Sequence, residues 1–184
     1  MTNAELAVLS LIVEQPRHGY EIEQVIDERG MRDWTEVGFS SIYYLLKKLE
    51  RNGFIISRLE QTAGRGPARK VYSVTDVGLA AWREATLQAL SMPQPCYSVF
   101  QLGLASLPVF STEEALAALG KYRQALAERH DYVQTRWREQ GGENLPLPVS
   151  GMFELSITLI EAELAWLEQF IQRLANGAAP GGGP

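Results

Sequence analysis

Between Gly38 and Thr75 the chain holds seven Lys/Arg against two Asp/Glu, a local balance of +5 in a protein of 184 residues and net charge -5. The residue types here suit contact with a polyanion rather than bond-making. Ser40 and Ser41 offer small hydroxyls, Tyr43 and Tyr44 phenols, and Lys47 and Lys48 ammonium groups, all within nine positions. Arg65, Gly66, Arg69 and Lys70 follow on a glycine-containing stretch. Hydroxyls and phenols near the start of a helix suit base edges, while lysines further along suit phosphate oxygens.

Two elements must position these groups. Ile42, Leu45, Leu46 and Leu49 recur at i, i+3, i+4 and i+7, the stripe of an amphipathic helix resting on a core. Ser40 or Ser41 is expected to cap its N-terminus, and Gly53 to supply the left-handed residue that stops it. Phe54-Ile55-Ile56 and Lys70–Val74 then read as strands around the loop Ala63–Arg69, giving a β-hairpin with a cationic tip. Guanidinium groups on such a tip suit the minor groove, where negative potential is strong. A helix followed by such a hairpin is the order of a winged helix-turn-helix. The helix alone would equally serve as an ordinary solvated basic face; helix, hairpin and charge together favour DNA. Tyr43 has a second reading as a core residue, and Lys70 as a flank of the hairpin.

The remaining composition narrows the class. With 46% hydrophobic residues the chain can bury a core in one or two domains, and no run of about eighteen apolar residues marks a membrane span. The N-terminus does not read as a secretory signal, since no basic region precedes its apolar stretch. Cys96 stands alone, and His18 and His130 are isolated, so neither a disulfide framework nor a metal site is expected, and no cofactor. A cytoplasmic protein is the expectation. Residues 1–91 carry 11 basic and 12 acidic side chains, residues 92–184 carry 6 and 10, so the acidity lies mostly in the second half.

Along the chain, residues 4–14 read as a buried helix with Thr2 and Glu5 at capping-box spacing and Pro16 beyond its end. A second helix begins near His18-Gly19-Tyr20 and ends at Gly30; residues 31–37 turn into the amphipathic helix, expected from near Phe39. After the hairpin a helix runs from Asp76 through Leu90, and Met92-Pro93-Gln94-Pro95 breaks it. Beyond lie a short helix over 97–107, a long one from the Ser111/Glu114 capping box to about Gln140, a loop through Gly151, and a last helix. In that helix Phe153, Ile157, Ile160, Leu164, Leu167, Ile171 and Leu174 form an unbroken heptad seam. Met152, Leu155, Leu159, Trp166 and Phe170 make a second line, so one face can pack at home and the other on a partner; both stripes as internal core is the other reading. The seam is assigned to a homodimer interface. The expected organisation is mainly α: a winged helix-turn-helix domain with a small β-hairpin wing over 1–91, an all-helical dimerisation domain over 92–176, and a disordered tail over 177–184.

These residues carry a resemblance. The opening AELAVLSLI, His18-Gly19-Tyr20-Glu21-Ile22, Ser41-Ile42-Tyr43 with Leu46, Leu49, Glu50 and Gly53, then Gly66-Pro67, Arg69–Thr75 and Gly78, are similar to the PadR family of bacterial transcriptional regulators. The organisation matches over the whole chain and resembles the branch with three C-terminal helices. Tyr44 departs from the pattern, which often has proline after the tyrosine. The resemblance implies a homodimer on a pseudo-palindromic operator, usually as a repressor. It also places Tyr20 on a phosphate at the start of the second helix, Ser40, Ser41, Tyr43, Tyr44, Lys47 and Lys48 on the recognition helix, and Arg65, Gly66, Arg69 and Lys70 on the wing.

No nucleophile–base pair, phosphate loop or metal cluster suggests an enzyme. The competing reading is a winged-helix protein-interaction module whose basic face meets an acidic partner. Trp82, Phe100, Trp137 and Trp166 form a candidate pocket for a small aromatic or apolar effector, although aromatics at helical spacing also serve as core.

Overall fold

The computed structural model describes residues 1–35, 37–38, 41–61, 68–93, 95 and 98–177, and its contacts divide the chain into units Met1–Pro95 and Cys96–Pro184. In the first unit, α1 (Asn3–Glu14), α2 (Gly19–Glu28) and α3 (Ile42–Arg51) pack on a three-stranded antiparallel sheet, and α4 (Asp76–Ser91) packs on α1. The strands are β1 (Arg17–His18), β2 (Ile55–Glu60) and β3 (Arg69–Val74), in the order β1-β3-β2.

Local chemistry explains the boundaries. Thr2 and Glu5 close a reciprocal capping box at the start of α1. Arg17, itself buried, donates its Nε–H to the Leu11 carbonyl at 2.9 Å and so satisfies one of the last carbonyls of α1. Glu14 accepts from both Arg17 and Arg29, which ties the end of α1 to the end of α2. Hydrogen bonding to Arg29, outweighing burial, holds its carboxyl below the ordinary value. Gly30 takes φ 59° after α2, and a single 3-10 turn, Met31–Asp33, leads on towards α3.

The core of this unit is continuous. Val8, Leu9, Leu11 and Ile12 of α1 meet Ile22 and Ile26 of α2, Ile42, Leu45, Leu46 and Leu49 of α3, and Ile55 and Tyr72 of the sheet. Burying each such aliphatic side chain contributes about 1.5–3 kcal/mol against the entropy of ordering the chain. Trp82 of α4 packs against this core and donates its indole N–H to the Ser10 hydroxyl at 3.0 Å.

The join between sheet and α4 leaves no room for a side chain. A Cβ on Gly78 would lie 1.9 Å from the Phe54 carbonyl oxygen. Thr75, the N-cap of α4, donates its hydroxyl to the Gly53 carbonyl at 2.6 Å and accepts from the Gly78 amide at 3.0 Å.

The second unit contains α5 (Val99–Ala105), α6 (Thr112–Glu139) and α7 (Leu147–Ala175), with α6 and α7 packed along each other. Ser111 and Glu114 form the expected capping box. Two boundaries differ from the sequence reading. α5 is shorter than 97–107 and is followed by a 3-10 turn at Leu107–Val109 around Pro108. α7 starts at Leu147, taking in residues assigned to a loop, because Pro148 falls in its first turn, where the missing N–H costs nothing and φ is already helical. The winged helix-turn-helix with a helical C-terminal part is the observed fold class; the tail from residue 178 and the loop 62–67 lie outside the described residues.

Candidate nucleic-acid interface

The proposed reading helix is seated by one face. Ile42, Leu45, Leu46 and Leu49 are all buried, and three of the four are at most 1% exposed, so α3 cannot turn about its axis without exposing them. Two further contacts set its placement. Gly19, at the start of α2, lies so close to α3 that an added Cβ would sit 2.9 Å from the Tyr43 ring. Glu50 accepts a hydrogen bond from Ser57 of β2, linking the last turn of α3 to the sheet.

The opposite face carries the polar groups. Tyr43 and Tyr44 are 59% and 64% exposed, Lys47 and Arg51 are exposed, and Lys47 makes no ion pair among the described residues. Tyr44, Lys47 and Arg51 recur at three- and four-residue steps and therefore share a side of the helix. Tyr43 stands out of the core, with one ring edge against Gly19. Tyr20 is 57% exposed in the first turn of α2, where the His18 amide donates to Glu21 at 2.7 Å.

Ser41 does not make the cap open to it in the sequence, and Lys48 has a partner inside the first unit. Ser41 stands at the N-cap position of α3 but does not cap it: its hydroxyl donates to the Gly38 carbonyl at 2.7 Å. Lys48 sits at the edge of the helix, where its Nζ lies 2.6 Å from Oε1 of the buried Glu5 on α1. Contact with Glu5, outweighing burial, holds the Lys48 ammonium above its ordinary pKa. Burial pushes the Glu5 carboxyl up, but Lys48 and the Thr2 hydrogen bonds together bring it below 4.5, its ordinary value. The Lys48 charge is thus partnered within the first unit.

In the wing, the register sets Ile55 opposite Val74 and Glu60 opposite Arg69. Alternation then places Arg58 and Arg69 on one face, and Lys70 on the other with Tyr72 and Val74. Arg69 and Lys70 are exposed, and a ring nitrogen of His18 lies 3.4 Å from the Lys70 carbonyl. Arg51 and Arg58 join the exposed cations. Helical spacing from Lys47 and strand alternation from Arg69 were the signals for them. Ser40, Arg65 and Gly66 lie outside the described residues.

The seam and the aromatic residues sort differently from their assignment. Ile160 and Leu167, assigned to a dimer interface, are buried within the chain itself, and Phe153, Ile157, Leu164 and Ile171 are half-buried along the same line. The seam faces inward because α6 covers it. The line left in the open is the other one: Leu155 and Leu159 are 61% and 60% exposed, with Met152 and Trp166 beside them.

Of the four candidate pocket residues, Phe100 and Trp166 come together. Phe100 stacks on Tyr122 with centroids 4.0 Å apart and meets Trp166 edge-on at 6.1 Å; Trp166 in turn stacks on Phe170 at 5.0 Å. Tyr122 donates its hydroxyl to Glu163 at 2.6 Å, and burial together with that carboxylate pushes its phenol up to about 12. Trp137 lies fifteen residues along α6 from Tyr122, about 22 Å at 1.5 Å per residue, and so does not share that cluster. Trp82 belongs to the first unit, with its N–H already engaged by Ser10. Tyr122 and Phe170, not assigned beforehand, complete the aromatic group. Among the described residues no cluster of His, Cys, Asp or Glu is arranged to hold a metal, and no helix is long and apolar enough to cross a membrane.

Similar folds are known. The chain resembles Bacillus subtilis PadR solved with operator DNA, with TM-score 0.74 and 21% identity over 92% of this chain and 98% of that one. It resembles the same protein solved with p-coumaric acid, with TM-score 0.77 and 19% identity over 93% and 98%. A PadR-like transcriptional regulator from Bacillus cereus gives TM-score 0.64 and 18% identity over 95% and 97%. No protein of curated function is a significant match in sequence. Residues 8–84, from the middle of α1 to α4, match the model of the transcriptional regulator PadR-like family. The exposed face of α3 lies within this matched stretch, over which the chain is similar to the transcriptional regulator PadR-like family.

Proposed function

We propose that the protein binds double-stranded DNA sequence-specifically as a homodimer, and represses transcription from a pseudo-palindromic operator until a small aromatic or apolar ligand releases it. The observation that carries the reading is the division of α3 into a buried apolar face and an exposed face of Tyr43, Tyr44, Lys47 and Arg51. The buried face fixes which side chains look outward, and those side chains suit phosphates and base edges. Arg58, Arg69 and Lys70 add cations from the wing. So few free cations per subunit favour a two-subunit footprint, and the exposed Leu155/Leu159 line of α7 supplies apolar surface for a second copy. The likeness to Bacillus subtilis PadR, solved with operator DNA and with p-coumaric acid, supports both the partner and a ligand of that chemical class. The aromatic group around Phe100 and Trp166 is the place for it in this chain.

The test is selection of a duplex from a random-sequence library, followed by binding of the selected and a random duplex over a range of salt. The reading expects a Kd for the selected duplex at least about 10³-fold below that for the random one. For six to ten phosphate contacts per dimer it expects a loss of about 10³–10⁵ in affinity between 50 and 200 mM salt. Equal binding to every duplex, or none at low salt, would remove the function. Quenching of tryptophan fluorescence by p-coumaric acid, lost in Trp166→Leu, would support the ligand; no response to aromatic acids would exclude it.

A further inference from the structure

Lys48 lies one residue from Lys47 on the reading helix, yet its charge is spent inside the domain. Its partner, Glu5, belongs to α1 and is 5% exposed. The carboxylate divides its two oxygens between two tasks. Oε2 accepts from the Thr2 amide at 2.8 Å and caps α1, while Oε1 lies 2.6 Å from Lys48 Nζ. A cap needs only an acceptor, and glutamine serves a capping box as well as glutamate does. The negative charge of Glu5, beyond the acceptor the cap needs, meets the N-terminus of α1 and the Lys48 ammonium.

The place of the pair on α3 gives it a consequence for DNA. Successive residues of a helix are 100° apart, so Lys47 faces outward while Lys48 stands at the border between the outward face and the core. Unpaired, its long side chain would swing outward and add a mobile cation beside Lys47. Such a cation would strengthen contact with any phosphate backbone, whatever the sequence. Paired, it is withheld, and the side of α3 nearest α1 is held to that helix.

We propose that Glu5 is a positioning and specificity-determining residue: by holding Lys48 against α1 it fixes the roll of the reading helix and keeps one cation off the phosphate backbone. The inference rests on the DNA-binding reading above. It assigns Lys47 to a phosphate and Lys48 to Glu5, and the two lysines then respond differently to salt.

The experiment measures Kd against salt for the full-length protein on the library-selected duplex and on a 24-base-pair duplex of random sequence. Four variants are compared: Lys47→Met, Lys48→Met, Glu5→Gln and Glu5→Gln/Lys48→Met. Lys47→Met should lower the slope of log K against log salt by about 0.9 per subunit. Lys48→Met should leave the slope as it is but reduce the preference for the selected duplex, because an unpaired Glu5 carboxylate loosens the seat of α3. Glu5→Gln keeps the cap and frees Lys48, so the slope should steepen by up to about 0.9 per subunit, with tighter binding to the random duplex. The double variant should return the slope to the wild-type value.

A slope lowered as much by Lys48→Met as by Lys47→Met would overturn the proposal, and so would an unchanged slope and preference in Glu5→Gln. Absence of duplex binding by the wild-type protein would instead overturn the DNA reading and the purpose assigned to the pair. The link between α1 and α3 would still show in acid unfolding. A carboxyl whose folded pKa is depressed contributes stability above its ordinary 4.5 that is lost as pH falls through the folded value, and Glu5→Gln should abolish that loss.

Discussion

The two units differ in how much of their apolar content forms one continuous core. In the first, α1, α2, α3 and the sheet bury a continuous set of mostly aliphatic side chains, Gly78 lets two backbones meet where no side chain fits, and Gly19 makes room for the Tyr43 ring. In the second, Ala115, Leu119, Leu126, Ile160 and Leu167 are the buried apolar residues among those described, while Val99, Val109 and Leu147 are each more than 80% exposed. A winged-helix unit must hold one rigid surface towards its target, and α1, α2, α3 and the sheet supply that core, while Leu59 of β2 and Val77, Leu87 and Leu90 of α4 stay exposed. A helical unit that leaves apolar lines open has surface to offer to a partner, and the proposed homodimer uses it. A packed reading unit and open apolar lines on α7 are what the proposed dimeric regulator requires.

Substitutions in the finished core should have the largest effect on stability. Gly78→Ala would put a methyl group 1.9 Å from a backbone oxygen that is itself fixed by Thr75, so no flexible side chain can yield. It should abolish cooperative unfolding of the first unit, as measured by chemical denaturation. Leu46→Ala, at a fully buried position, should cost about 2–5 kcal/mol in the same measurement. A loss below about 1 kcal/mol in both would show that this unit is no better packed than the other.

The second unit should answer differently at its two α7 lines. Leu167→Ala removes an internal contact and should destabilise the unit by about 2–5 kcal/mol. Leu155→Glu/Leu159→Glu alters exposed positions and should change the stability of a single chain by about 0.5 kcal/mol or less per site. The same pair should convert the proposed dimer to monomer in light scattering and weaken duplex binding with it. A dimer that survives it would assign the partner surface elsewhere.

A smaller effect is expected at Tyr122. Tyr122→Phe removes a hydrogen bond to Glu163 and should cost about 1.5–3 kcal/mol near neutral pH. The folded phenol, at about 12, holds its proton above the ordinary value of 10.0, so its contribution is complete below pH 10 and is lost as pH rises through 12. The wild-type second unit should therefore lose stability over that range and the Phe variant should not, as followed by circular dichroism.

Much of this was legible in the sequence, and the residues show why. The stripe Ile42–Leu49 and the capping boxes at Thr2/Glu5 and Ser111/Glu114 are local patterns, and the structure contains all of them. The two-residue strand β1 was not legible, since Arg17 and His18 have no periodicity and become a strand only by pairing with β3. The capture of Lys48 by Glu5 joins residues 43 positions apart, and spacing along one helix cannot reveal it. On α7 the heptad seam was plain, but a seam does not name its partner. Its most buried members, Ile160 and Leu167, turned out to belong to the chain's own packing.

The central claim is that the outward face of α3 reads DNA, and Tyr44 tests it most directly, being exposed, uncharged and on the same side as Lys47. The measurement is the ratio of Kd for random and selected duplexes, at one salt concentration, in the wild-type protein and in Tyr44→Ala. The account predicts that the variant keeps its fold by circular dichroism and loses about tenfold in that ratio, the value of one base contact. An unchanged ratio in a folded Tyr44→Ala protein would contradict it.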